Sequence, residues 1–182
     1  MEIKPLRLAG TYEILFEPRR DERGYFLRVY DEAGFADSGL TTAWAQENQA
    51  FSLRKGIVRG LHFQKPPFAE AKFVRVVAGR IVDVFLDLRR GSATYGQWDM
   101  VELNEEEQKA VYIPKGFAHG YCTLRDASLV LYKVDCRYTP EAEGGIRWND
   151  PDLKIPWPAD DPLVSGKDAK LPLFRDFVTP FA

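Results

Sequence analysis

The run Lys72-Phe73-Val74-Arg75-Val76-Val77-Ala78-Gly79-Arg80-Ile81-Val82-Asp83-Val84-Phe85-Leu86-Asp87 decides the fold class, because two β-branched, aromatic segments flank a single glycine. Val82, Val84 and Leu86 alternate with Asp83, Phe85 and Asp87, the period of a strand. Ala78-Gly79-Arg80 reads as a tight connection, so the two segments are expected to pair as a hairpin. On the C-terminal side the same texture continues through Tyr95–Leu103, Ala110–Leu124 and Ser128–Tyr138, each rich in Val, Ile, Phe or Tyr and broken by Gly, Asn or Asp. Short strands at this spacing predict a sandwich or barrel. Helical signal is confined to Asp31–Phe35 and Glu105–Gln108, where acidic residues could open a single turn.

From Tyr138 onward the chain becomes dense in Pro, Gly and Asp, which predicts an extended excursion over a surface rather than a new core. There is no internal repeat or flexible linker, so residues 1–182 are expected to form one domain with an extended C-terminal tail. With 45% apolar residues the chain can fill a core. Its 25 basic against 27 acidic residues, a net charge of −2, give no broad positive field for nucleic acid or an anionic membrane. An anionic small molecule would need a local cluster of cations. No window approaches the roughly 18 consecutive apolar residues of a membrane span, and the opening residues lack a signal peptide's apolar stretch, so a cytoplasmic location is expected. Cys122 and Cys136 form no CxxC pair and read as two buried thiols. His62 and His119 are the only histidines, so a site needing three imidazoles is impossible.

Four positions could carry chemistry, and each has an ordinary structural reading beside it. In Val58-Arg59-Gly60-Leu61-His62-Phe63-Gln64 a cation and a titratable base stand three residues apart. A regular pleat would send them to opposite faces, so a shared pocket requires an irregularity, which Gly60 permits. Otherwise His62 is a satisfied structural histidine. His119 follows a Pro-Gly loop and reads equally as a turn histidine. Tyr132 shares a strand face with Val130 and Val134, either as core or with its hydroxyl in a barrel interior. Lys72 begins an apolar strand, and could be an exposed strand-edge lysine.

These residues sit in ordered blocks: DERGYF (21–26), QENQAFS (46–52), VRGLHFQ (58–64), residues 71–98, IPKGFAHGY (113–121), LYKV (131–134) and GGIRWNDPDLKIPWP (144–158). Across about residues 12–173 the chain resembles the dTDP-4-dehydrorhamnose 3,5-epimerase family. The resemblance implies a cupin-type double-stranded jelly roll, all-β with minor short helices. It also implies a homodimer that lends an N-terminal strand and loop to its partner, and a site that works without metal or organic cofactor. The implied substrate is a nucleoside-diphosphate 4-keto-6-deoxyhexose, whose C4 ketone acidifies the hydrogens on C3 and C5. An imidazole, ordinarily titrating near 6.5, suits the base, and a phenol near 10 suits the acid.

By the same resemblance His62 is the base and Tyr132 the acid. Asp168, in Ser165-Gly166-Lys167-Asp168, orients His62, and Lys72 faces the enolate oxygen. Substrate contacts fall to Arg23, Arg28, Gln46, Asn48, Arg59, His119, Glu143 and Lys167, with Tyr138 stacking on the nucleotide base. The chain departs from the common family pattern at Arg28, where a Glu is usual, at Glu47 for Asp, and at Gly166 for Glu. These departures leave open an epimerase acting at C3 or C5 alone, or on a different nucleotide 4-ketosugar. A cupin ketoisomerase and a silent sugar-nucleotide binder are the remaining alternatives.

Overall fold

In the computed structural model, which describes residues 1–182, the alternating segments become fourteen strands and one short α-helix. In chain order they are β1 (Glu2–Pro5), β2 (Tyr12–Leu15), β3 (Arg19–Asp21), β4 (Gly24–Phe26), α1 (Glu32–Asp37), β5 (Gln46–Ser52), β6 (Ile57–Gln64) and β7 (Lys72–Ala78). They continue as β8 (Arg80–Asp87), β9 (Trp98–Asn104), β10 (Lys109–Ile113), β11 (Phe117–Thr123), β12 (Ser128–Val134), β13 (Glu143–Gly145) and β14 (Leu163–Val164). One sheet has the order β1-β2-β10-β7-β12-β5 and the other β13-β6-β11-β8-β9, with β14 parallel to β6. The architecture is the expected cupin-type jelly roll. Between the sheets, Leu8, Val74, Ile81, Phe85, Leu103, Val111, Phe117 and Val130 pack as one core.

The segment 72–87 is two strands, but they do not form the expected hairpin. β7 pairs with β10 and β12, whereas β8 pairs with β9 and β11. The chain crosses from one sheet to the other at Gly79, whose φ of +83° belongs to the left-handed region. A Cβ there would lie 2.5 Å from Ser128 Oγ, so the crossing needs glycine. Alternation within each segment was legible, but nothing local distinguishes a turn within a sheet from a step between sheets.

The alternation in β8 does not separate a buried from an exposed face either. Val84 and Leu86 pack with Leu61, Phe63, Ile146, Leu153, Ile155 and Phe181, so the tail roofs the outer face of the second sheet. The tail therefore builds a second buried cluster, a correction to the expected surface excursion. Its Pro and Gly residues shape the path while its Ile, Leu and Phe supply the apolar area.

Asp31 opens α1 by accepting the Gly34 N–H at 3.2 Å, and Phe35 of that helix stacks edge-on against Phe73 at 5.3 Å. Glu105–Gln108 is a turn rather than a helix. The helix covers the outer face of the first sheet around β10 and β7. Over β5 and β12 that face stays open, with Phe51 of β5 exposed, as is Val77 near the end of β7. The β3–β4 hairpin stands apart from both sheets, with Tyr25 and Phe26 exposed.

Candidate active site

The site begins with an irregularity in β6. In its ladder with β11, His62 pairs with His119 and Arg59 with Tyr121, so three steps on one strand oppose two on the other. That extra residue is a β-bulge. Gly60 occupies it with φ +118°, and a Cβ there would lie 2.6 Å from Gly120 Cα. The bulge turns Arg59 onto the face of His62, and both line one cavity of about 540 Å³. This is the irregularity that a shared pocket for Arg59 and His62 requires.

Along its other edge β6 pairs first with β14, then with β13. Between them the turn Asp168–Lys170 brings a carboxylate to the strand. Asp168 is buried, its Oδ1 lies 2.6 Å from His62 Nε2, and its Oδ2 accepts the Gly60 N–H at 3.2 Å. Burial alone would raise its pKa, but the hydrogen bonds from His62 and Gly60 outweigh burial and hold the carboxyl below its ordinary range. His62 Nδ1 makes no hydrogen bond within the chain, which leaves that nitrogen for the cavity.

The facing wall comes from the first sheet. Lys72 of β7 is buried, ion-paired with Glu70, and its ammonium lies 5.9 Å from the centre of the Tyr132 ring. Tyr132 of β12 has its pKa raised, first by burial and then by the Glu70 charge, so its phenol keeps its proton at neutral pH. His119, beside His62 on β11, bonds through Nε2 to Asp83 Oδ2 at 2.7 Å. Burial pushes the Asp83 carboxyl up, against the pull of His119 and Lys72.

A second hollow of about 290 Å³ shares the His62, Lys72 and Tyr132 walls and opens toward Gln46, Asn48, Tyr138 and Glu143. Together the two spaces suit a ligand larger than a free sugar. At this rim Gln46 Oε1 accepts the Tyr138 N–H at 2.5 Å, and the Tyr138 hydroxyl donates to Glu143 Oε2 at 2.8 Å. Lys167 donates to Glu143 Oε1 at 2.5 Å. Burial would raise the Glu143 pKa, yet these bonds lower it, and Glu143 in turn raises that of Lys167.

The fold thus gathers every expected site residue except Arg23 and Arg28. Arg23 lies on the free hairpin, bonded to Asp21 at 2.6 Å, and Arg28 faces a separate hollow with Asp31, Glu17 and Arg19. Four residues went unread in the sequence: Asp83, Glu70, Gln64 and Tyr121. Asp83 was visible only as a charge inside an apolar strand, the pattern an outward residue also gives. Gln64 bonds to Glu70, Phe68, Arg137 and Thr139, contacts that span the fold. No three His, Cys, Asp or Glu side chains have the arrangement of a metal centre.

Comparison with known proteins bears on this arrangement directly. The family model for dTDP-4-dehydrorhamnose 3,5-epimerase matches residues 5–176. An enzyme of that name from Methanothermobacter thermautotrophicus is 46% identical over 172 residues, covering 92% of each chain. A dTDP-4-dehydrorhamnose 3-epimerase from Streptomyces niveus is 41% identical, over 92% of this chain and 81% of that one. The crystal structure of the Bacillus anthracis 3,5-epimerase with TDP and pyrophosphate bound superposes with a TM-score of 0.92 at 38% identity, over 94% of this chain and 98% of that one. The chain belongs to the dTDP-4-dehydrorhamnose 3,5-epimerase family.

Proposed function

We propose that this protein inverts C3 and C5 of dTDP-4-keto-6-deoxyglucose, giving dTDP-4-keto-rhamnose, with His62 as base and Tyr132 as acid. One observation carries the reading: a carboxylate-backed imidazole on one sheet faces a protonated phenol and a buried ammonium on the other, across one cavity. His62 Nδ1 takes the proton from the carbon beside the C4 ketone. The C–H electrons form a C=C bond while the carbonyl pair moves to O4, giving an enolate. The Lys72 ammonium stabilises that oxygen, a contact type worth about 10²–10³ in rate. Tyr132 then protonates the carbon from the opposite face and its phenolate is reprotonated from solvent, while the His62 imidazolium returns its proton to water. Asp168 fixes the ring so that Nδ1 carries the lone pair. No bound metal or cofactor enters these steps.

The nucleotide would lie along Gln46, Asn48, Tyr138 and Glu143, with the diphosphate near Arg59 and Lys167. The exposed Tyr25–Phe26 tip and the open sheet face over β5 and β12 support a homodimer in which the hairpin crosses to the partner and brings Arg23 and Arg28 to its site. Sedimentation as a monomer at micromolar concentration would sink that assembly. No helix is long and apolar enough to cross a membrane, which agrees with a cytoplasmic enzyme.

The test is proton NMR of the substrate in deuterated water. Loss of both the C3 and C5 signals with the wild type, and of neither with His62→Ala, is the expected result. Exchange at C3 alone would favour a monoepimerase, the reading that the Streptomyces niveus relative supports. No exchange at either carbon would overturn the proposed substrate.

A further inference from the structure

The cavity holds two histidines that look alike. His62 and His119 are cross-strand neighbours, each bonded through Nε2 to a buried carboxylate, and neither Nδ1 has a partner in the chain. Two bases side by side would let each serve a different carbon. The surroundings of the two carboxylates argue otherwise.

Asp168 shares its charge with the Gly60 N–H as well as with His62. These bonds hold the Asp168 carboxyl below its ordinary range, so it has support besides the ring, and the His62 side chain is 33% exposed. Asp83 has no such support. It is fully buried, its Oδ1 has no hydrogen-bond partner, and His119 is its only hydrogen-bond donor. The nearest cation on the facing sheet, Lys72, is already paired with Glu70, while Tyr121 and Tyr132 are neutral phenols and Arg59 stands farther along β6. A carboxylate beside a neutral His119 would therefore be an uncompensated buried charge, the costliest of the available states.

Two arrangements avoid that cost: Asp83 ionised with an imidazolium, or Asp83 protonated and donating to Nε2 of a neutral ring. Both place a proton on Nδ1. Charge neutrality of the pair leaves His119 no lone pair to offer the cavity.

We propose that Asp83 is a positioning residue that locks the His119 ring with its proton on Nδ1, so that His119 meets an oxygen of the bound sugar nucleotide as a donor. The claim rests on the epimerase reading for its substrate, but the state of His119 can be measured without one. With only two histidines in the chain, ¹⁵N-histidine NMR of the intact protein separates them, and His62→Asn assigns the signals. The expected spectrum at pH 8 shows His119 with Nδ1 protonated and His62 with Nδ1 free of its proton. An unprotonated His119 Nδ1 at pH 8 would overturn the proposal. In Asp83→Asn the amide can pair with either tautomer, so His119 should become a mixture, with kcat falling about 10²-fold. A His119 spectrum unchanged in this variant would count against Asp83 as the lock.

With substrate in deuterated water, His119→Asn should slow C3 and C5 exchange together, about 10²-fold, while His62→Asn abolishes both. Exchange lost at one carbon alone in His119→Asn would make His119 a second base and end the proposal. Failure of the wild type to exchange either carbon would discredit the substrate and leave the ring-state result standing.

Discussion

Three groups in the cavity have a carboxylate beside them: Asp168 behind His62, Glu70 beside Lys72 and Asp83 behind His119. Asp168→Asn keeps the shape but lets the imidazole turn its lone pair away from the cavity, so kcat should fall by about 10²–10⁴ while nucleotide affinity holds. Steady-state kinetics together with dTDP titration check this. Tyr132→Phe separates the half-reactions. His62 can still remove a proton and return deuterium to the same face, so exchange should persist while inverted product disappears. An NMR time course that follows isotope content and product together would show it, and inversion at the wild-type rate would remove Tyr132 from the mechanism.

At the scale of the element, the site depends on one extra residue in β6. Without the bulge at Gly60, Arg59 and His62 would face opposite ways, and the Gly60 N–H would not meet Asp168. Gly60→Ala places a methyl 2.6 Å from Gly120 Cα and 2.7 Å from the His119 carbonyl oxygen, at a φ that L-residues rarely adopt. The backbone must shift, at a cost of about 3 kcal/mol or more. Thermal unfolding should show a clear drop in Tm, and the surviving fold should have lost most of its kcat. A fully active, equally stable Gly60→Ala protein would mean that the bulge does not place the base.

For the molecule as a whole, acid stability reports how far the fold relies on buried carboxylates. Asp87, at the end of β8, is buried, which alone would raise its pKa. Hydrogen bonds from Arg89, Ser92 and Thr94 outweigh that and hold it low. Its folded pKa therefore lies below the unfolded value of about 4. The stability it contributes is present above pH 4 and drains away as pH falls through the folded pKa. Asp87→Asn should cost about 1–3 kcal/mol at pH 7, or about 2–4 °C of Tm per kcal/mol, and should flatten the loss of stability below pH 4. Denaturant midpoints at pH 7 and pH 3 measure both effects. The hairpin is expected to act at the same scale. Replacing Tyr25 and Phe26 by Ser should shift the protein toward monomer and weaken nucleotide binding, with little change in the unfolding of the sheets, as sedimentation and calorimetry would show.

Strand after strand was legible in the alternation of apolar residues, because a pleated backbone imposes a period of two on anything half-buried. The bulge was legible only as a condition: Arg59 and His62, three residues apart, share a face only if the strand is irregular, and Gly60 permits that. Ordered motifs carried the family, and through it His62, Tyr132, Lys72 and Asp168. What no local pattern could supply was the pairing. Gly79 looks like a hairpin turn and is a crossing between sheets, because strand partners are chosen by contacts far apart in the chain. A tail written in Pro and Gly turned out to roof a sheet, since its apolar residues find a face only after that sheet exists. Asp83 could be read as a surface charge until the second sheet buried it beside His119. Sequence determined which chemical groups are present and their periodicity; tertiary structure decided which of them share a water-poor space, and therefore which protons they hold.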